Sequence, residues 1–127
     1  MLKGPRNTRI IDLPKYRLPI TGIVSILHRI SGVLLFLFIP FVLWLLHHSL
    51  ISQQEFLLVK DFMGSFTISI FIWIVLSALW YHTIAGIKHL LMDMDYFEGK
   101  RSGAIASTIV MLLGIAGVIA IGVWILC

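Results

Sequence analysis

Charged residues are scarce in this chain of 127 residues, where they make up 13% of the sequence, against about 25% in soluble globular proteins. The charges also cluster, and none lies between Arg29 and Glu55, between Asp61 and Lys88, or after Arg101. These uncharged windows hold 25, 26 and 26 residues, and roughly 20 helical residues cross the ~30 Å hydrocarbon layer of a membrane. The composition therefore argues against a water-soluble fold, and no soluble catalytic domain fits into the segments that remain.

Cysteine is nearly absent as well, because Cys127 is the only one. A single thiol cannot form an intrachain disulfide, and it cannot supply the ligands of a cysteine-bound iron–sulfur cluster or of a structural zinc site. Such sites are excluded within this chain, and we expect Cys127 to be an inert thiol.

The basic residues follow the predicted spans instead of covering one face, so the net charge of +4 gives no reason to expect a nucleic-acid partner. Nine of the ten precede the first span or flank the inner end of the second. The positive-inside rule then places the N-terminus in the cytoplasm and the C-terminus outside. We expect an all-α integral membrane protein with three transmembrane helices in a bacterial plasma membrane, the mitochondrial inner membrane being the alternative.

The pattern predicts a polar cytoplasmic arm over residues 1–19 and a transmembrane anchor domain over residues 20–127. Pro19 suits the first turn of a helix, where its missing N–H is no loss. The three helices are predicted at about residues 20–50, 62–92 and 102–126. In the third, Ala116 and Ala120 form a small-residue pair with Gly114 and Gly117 beside it, which favours packing against other helices.

His82 lies in the second span, and an ionisable side chain inside a membrane is a candidate functional group because it is costly there. It precedes Asp93 by about ten residues, or ~15 Å, which places it near mid-membrane. Ala78 and Gly86 lie four residues before and after His82, and their small size leaves room for a flat macrocycle to approach this face of the helix. His89 follows on the same face. The stripe favours haem ligation by His82, and a hydrogen bond to a neighbouring helix is the alternative.

A second polar cluster lies at the inner end of the first span. Ser25, His28, Arg29 and Gly32 fall at i, i+3, i+4 and i+7 and so share one helical face. A hydroxyl and a guanidinium one turn apart, among Ile and Leu, can bind a ligand with polar carbonyl groups on an apolar body, such as a quinone. The alternative for Arg29 is that it reaches the lipid phosphates.

Three segments together resemble a known family: residues 25–32 (SILHRISG), 82–93 (HTIAGIKHLLMD) and 100–102 (KRS). They are similar to the cytochrome b membrane-anchor subunit of succinate dehydrogenase, respiratory complex II, and the resemblance runs from about Arg17 to the end. It implies a flavoprotein subunit, an iron–sulfur subunit and a second small membrane anchor as partners in the lipid bilayer. It also implies that electrons from succinate pass to ubiquinone.

The same resemblance implies roles for individual residues. His82 matches an axial ligand of haem b, and the second anchor supplies the other axial histidine. His28, Arg29 and His89 match positions near the haem propionates. Ser25 and Arg29 match the part of the ubiquinone site that this subunit provides.

The resemblance implies a subunit of an oxidoreductase complex that has no flavin or succinate site of its own. Lys88 departs from the family's usual arginine, keeping the charge but losing the planar fork that holds a carboxylate with two hydrogen bonds. Two alternatives stay open: a fumarate reductase anchor that uses menaquinone in the reverse direction, and a non-redox helical scaffold or transporter subunit.

Overall fold

The computed structural model describes residues 18–127, which form four α-helices in the order α1 (Ile20–Ile51), α2 (Gln53–Met63), α3 (Phe66–Asp93) and α4 (Lys100–Leu126). The cytoplasmic arm predicted for residues 1–19 lies outside this part of the chain except for Leu18 and Pro19. Helices α1, α3 and α4 are long and apolar enough to cross a membrane. This confirms the predicted all-α membrane fold with three spans.

The first connection differs from the sequence expectation, because the segment taken as a loop contains the helix α2. Ser52 caps α2, and its Oγ accepts a hydrogen bond of 3.1 Å from the N–H of Glu55. Gly64 ends α2 with its N–H on the carbonyls of Lys60 and Asp61, so α3 begins only at Phe66 and not near residue 62. The spacing of Ser52 and Glu55 is that of a capping box, a signal for a helix start.

Helix α2 is held against the C-terminal end of α1 by a polar contact. Glu55 Oε2 lies 3.3 Å from Nδ1 of His48, in the last turn of α1. Further along, the aromatic ring of Phe62 lies 6.3 Å from that of Trp44, edge to face. These contacts hold α2 against α1 at the end of the bundle opposite to the predicted cytoplasmic side.

Aromatic side chains of α3 pack onto glycines of α4. The indole of Trp80 occupies the space in which a Cβ at Gly117 would stand, and its Nε1 donates a 3.0 Å hydrogen bond to the carbonyl of Leu113. The packing surface predicted at Ala116 and Ala120 is not formed within this chain, because both residues are exposed. Glycines of α4 form the contact with α3 instead, because a residue without a Cβ leaves room for an indole against the helix backbone.

The interior of the bundle is small. Val24 of α1, Ala85 of α3 and Val110 of α4 are buried together where the three long helices meet. Large apolar side chains such as Phe36 and Leu112 stay exposed on the outside. Such an apolar exterior suits contact with lipid tails or with other membrane helices.

Candidate functional site

Three histidines from two helices lie together in the half of the bundle that is predicted to face the cytoplasm. The imidazoles of His28 and His82 stack with 4.1 Å between ring centroids and 12° between ring planes. His89 also lies next to His28, with 5.1 Å between centroids and the rings tilted by 56°. The sequence placed these residues in two separate patterns, and the packing of α1 against α3 joins them into one cluster.

The ring of His82 is held by hydrogen bonds to α1. Its Nδ1 lies 3.0 Å from the main-chain carbonyl oxygen of His28 and 3.1 Å from Oγ of Ser31. A carbonyl oxygen only accepts, so Nδ1 carries the proton of the neutral imidazole and donates. Nε2 is then the nitrogen with the free lone pair, which is the form of histidine that ligates a metal.

Two glycines let α1 and α3 approach at this point. A Cβ at Gly32 would lie 3.0 Å from Cε1 of His82, and a Cβ at Gly86 would lie 3.3 Å from Nε2 of His28. The expectation that Ala78 and Gly86 clear a face for a macrocycle is wrong for Gly86, because His28 of α1 lies there. Ala78 lines a different groove, beside Ser31. Residues four positions from His82 share its face of α3, and that face packs against α1.

A groove between α1 and α3 is lined by His82. It has a volume of about 700 Å³, which lies within the range of ligand pockets in proteins. Apart from His82 and Gly32, its lining consists of aliphatic and aromatic side chains and Met63. A single imidazole in an apolar groove fits a haem, because a histidine nitrogen can ligate the iron and the apolar walls suit the macrocycle.

The predicted quinone residues lie on α1 toward its N-terminal end. Ser25 is half-buried and Arg29, one turn later, is exposed. Within residues 18–127, the hydrogen bonds of the site involve His28, Ser31 and His82 but neither of these side chains. A hydroxyl and a guanidinium thus stand one helical turn apart in the same stretch of α1 as His28.

Lys88 is buried in the packed helices and only 4% exposed. It lines an apolar cavity of about 330 Å³ between α3 and α4, together with Leu91 and Ile105. The carboxylate contact considered for this position is not seen among the described residues.

Ser31 is the site residue that the sequence analysis missed. It lies three positions after His28 and donates a 2.8 Å hydrogen bond to the His28 carbonyl, while also meeting His82. Serine often bonds to a carbonyl three or four residues back in its own helix. The hydrogen bond to the His28 carbonyl could therefore have been predicted from the sequence. The contact with His82 could not, because it depends on how α3 packs against α1.

The fold and the site define an integral membrane subunit of three spans that presents a histidine side chain to an apolar groove. Comparison with known proteins identifies the family. Residues 5–122 match the family described as succinate dehydrogenase/fumarate reductase transmembrane subunit, and the chain therefore belongs to that family. This confirms the resemblance.

Similar proteins come from three bacteria, and each is named succinate dehydrogenase cytochrome b556 subunit. The protein of Coxiella burnetii is 38% identical over 124 residues, which cover 97% of both chains. That of Paracoccus denitrificans is 35% identical over 88 residues, covering 66% of this chain and 65% of its own. That of Rickettsia felis is 35% identical over 81 residues, covering 64% and 62%. The chain is thus a multi-pass subunit of a bacterial inner membrane, as predicted.

Proposed function

We propose that this chain is the anchor that holds the flavoprotein and iron–sulfur subunits of a succinate dehydrogenase on the membrane. In this role it ligates haem b jointly with a second small anchor and forms part of the ubiquinone-reduction site. The observation that carries the proposal is the hydrogen bond from His82 Nδ1 to the His28 carbonyl. It leaves Nε2 as the lone-pair nitrogen of a side chain that lines an apolar groove.

The residues around His82 suit the polar edge of a haem. His28 stacks on His82 and His89 lies next to His28, so both offer imidazole nitrogens in this cluster. Arg29 adds a permanent positive charge one residue from His28. Haem propionates are anionic, so a guanidinium and imidazole N–H groups can bind them. His82 is the residue of this chain that would hold the haem iron, and the bound haem would supply a one-electron redox centre.

Ser25 and Arg29 are assigned to the quinone. A quinone carbonyl that receives electrons needs a hydrogen-bond donor and a field that offsets negative charge. Ser25 supplies the hydrogen bond, and Arg29 supplies the field without giving up its proton. The protons that complete the reduction come from water or from a titratable group elsewhere.

The names of the relatives favour the succinate direction over fumarate reduction with menaquinone. The family description covers both enzymes, whereas the three relatives are all named as subunits of succinate dehydrogenase. Succinate is therefore the proposed electron donor and ubiquinone the proposed acceptor.

The test compares two activities of the assembled complex. Loss of a buried hydrogen bond to a ligand costs roughly 1 to 3 kcal/mol, so Ser25→Ala should slow succinate-driven ubiquinone reduction by about one to two orders of magnitude. Arg29→Leu should also slow it. Succinate oxidation by an artificial acceptor that takes electrons from the soluble subunits should be unchanged in both variants.

Ser49→Ala is the matched control, because Ser49 is a hydroxyl on the same helix near its opposite end. It should leave both activities unchanged. Wild-type rates of quinone reduction in both the Ser25 and the Arg29 variant would contradict the placement of the quinone site on this face of α1.

A further inference from the structure

Ser31 completes a closed hydrogen-bonded triangle with His28 and His82. Its Oγ donates to the His28 carbonyl at 2.8 Å, and Nδ1 of His82 lies 3.1 Å from that Oγ and 3.0 Å from the same carbonyl. Ser31 is only 7% exposed. The hydroxyl proton points to the carbonyl, so an oxygen lone pair of Ser31 faces Nδ1 and the N–H of His82 has two acceptors.

We propose that Ser31 is a positioning residue that fixes the tautomer of His82 and tunes the haem iron through it. This inference rests on the proposed function of His82 as a haem ligand. Ser31 does not touch the haem in this proposal. It acts through the Nδ1 proton, which it shares with the carbonyl of His28.

The triangle penalises the other tautomer. If the proton moved to Nε2, the lone pair of Nδ1 would face the lone pairs of the His28 carbonyl at 3.0 Å, and buried acceptors that face each other are unfavourable. Ser31 could turn its own proton toward Nδ1, but it would then abandon the carbonyl. The arrangement in the structure is the one that satisfies all three groups.

Two acceptors on one N–H also make the ring more electron-rich. Partners of this kind orient a metal-bound histidine and raise its basicity, and losing one typically costs 10-fold to 100-fold in metal affinity or activity. An electron-rich ligand stabilises the oxidised iron, and hydrogen bonding around the ligand is one of the levers by which a protein sets a haem potential. Ser31 is therefore expected to lower the haem midpoint potential.

Ser77 provides a matched control for the loss of a buried hydroxyl. It lies on α3, is 9% exposed and lines the same groove as Ser31. Its Oγ has no hydrogen-bond partner among the described residues. Ser77→Ala thus removes a similar hydroxyl from a similar environment without touching the triangle.

The experiment measures haem content, midpoint potential and the low-spin electron paramagnetic resonance signal of the purified complex. Ser31→Ala should weaken haem retention about 10-fold and raise the potential of the haem that remains, with a shifted low-spin signal. Ser31→Cys, which keeps a weak acceptor, should give a potential between wild type and Ser31→Ala. Ser77→Ala should match wild type in all three measurements.

A merely structural role for Ser31 would lower haem content without moving the potential. The inference is overturned if the haem of the Ser31→Ala complex has the wild-type potential. If the Ser31→Ala complex does not assemble, a wild-type potential in the Ser31→Cys complex overturns it. His82→Leu distinguishes a failure of the proposed function from a failure of the role of Ser31. If it keeps the low-spin signal, the proposed function fails; if it loses the signal while the Ser31 variants keep the wild-type potential, only the role of Ser31 fails.

Discussion

The imidazole of His28 lies parallel to that of His82, with 4.1 Å between the ring centroids, although the two residues stand 54 positions apart on different helices. One residue thus contributes twice to the same contact: its side chain covers a face of the His82 ring, and its carbonyl accepts a hydrogen bond from Nδ1–H of His82. Helix α1 therefore fixes the orientation of a side chain that α3 carries.

The stacked ring predicts a graded effect of substitutions at His28. His28→Ala removes the aromatic surface from one face of His82, so the imidazole can turn, and haem retention in the purified complex should fall about 10-fold. His28→Phe keeps an aromatic ring for stacking and should retain more haem than His28→Ala. Equal losses in both variants would show that the polarity of His28 matters and the stacking does not.

Gly32 predicts a steric effect at the same place. A methyl group there would stand 3.0 Å from Cε1 of His82, so Gly32→Ala should push the imidazole out of its hydrogen bonds and reduce the haem bound per complex. Gly22→Ala is the control, because its Cβ would meet only the Pro19 ring, at 3.7 Å. Haem content, measured against subunit content, should fall in the first variant and stay unchanged in the second. Full haem content in Gly32→Ala would contradict the observed approach of α1 to His82.

Gly117 predicts a cost in stability away from the haem site. Gly117→Ala should displace the Trp80 indole and break its hydrogen bond to the Leu113 carbonyl. We expect this to lower the free energy of unfolding by about 1 kcal/mol. Thermal unfolding of the complex in detergent measures this, with the exposed Ala116→Leu as a control. In a Trp80→Phe background the same change should cost less, because the two residues are in contact. An equal cost in both backgrounds would mean that Trp80 is not what Gly117 accommodates.

The number of spans could be predicted from the sequence because charge is excluded from the hydrocarbon layer regardless of how helices pack. Helix α2 was not predicted, although Ser52 and Glu55 mark its start, because it lies between two spans where a short loop is expected. Short amphipathic segments carry a weaker signal than 25 uncharged residues.

The site was only partly predictable for a different reason. Helical spacing shows that Gly86 and His82 share a face, but it does not show what lies on that face, which is His28 of α1. Ser31 was missed because its contact with His82 joins two helices. Residues within one helix could be grouped from their spacing, whereas contacts between α1 and α3 required the packed structure.

The topology stays a prediction, with the N-terminus in the cytoplasm and the C-terminus outside. A reporter fused after Gly99, between α3 and α4, should lie in the cytoplasm, and one fused at Cys127 should lie outside. The physical reason is the concentration of Lys and Arg beside the inner ends of the spans. Signals from the same side of the membrane at both positions would contradict the three-span arrangement.

The most direct test of the central claim is the spectrum of the purified complex with His82→Leu. Wild type should show a low-spin b-type haem, and His82→Leu should lose that signal, because leucine offers no nitrogen for the iron. His47→Leu, a histidine near the outer end of α1, should keep the wild-type spectrum. A low-spin spectrum in His82→Leu identical to wild type, in a complex with its full haem content, would contradict the claim that His82 ligates the haem.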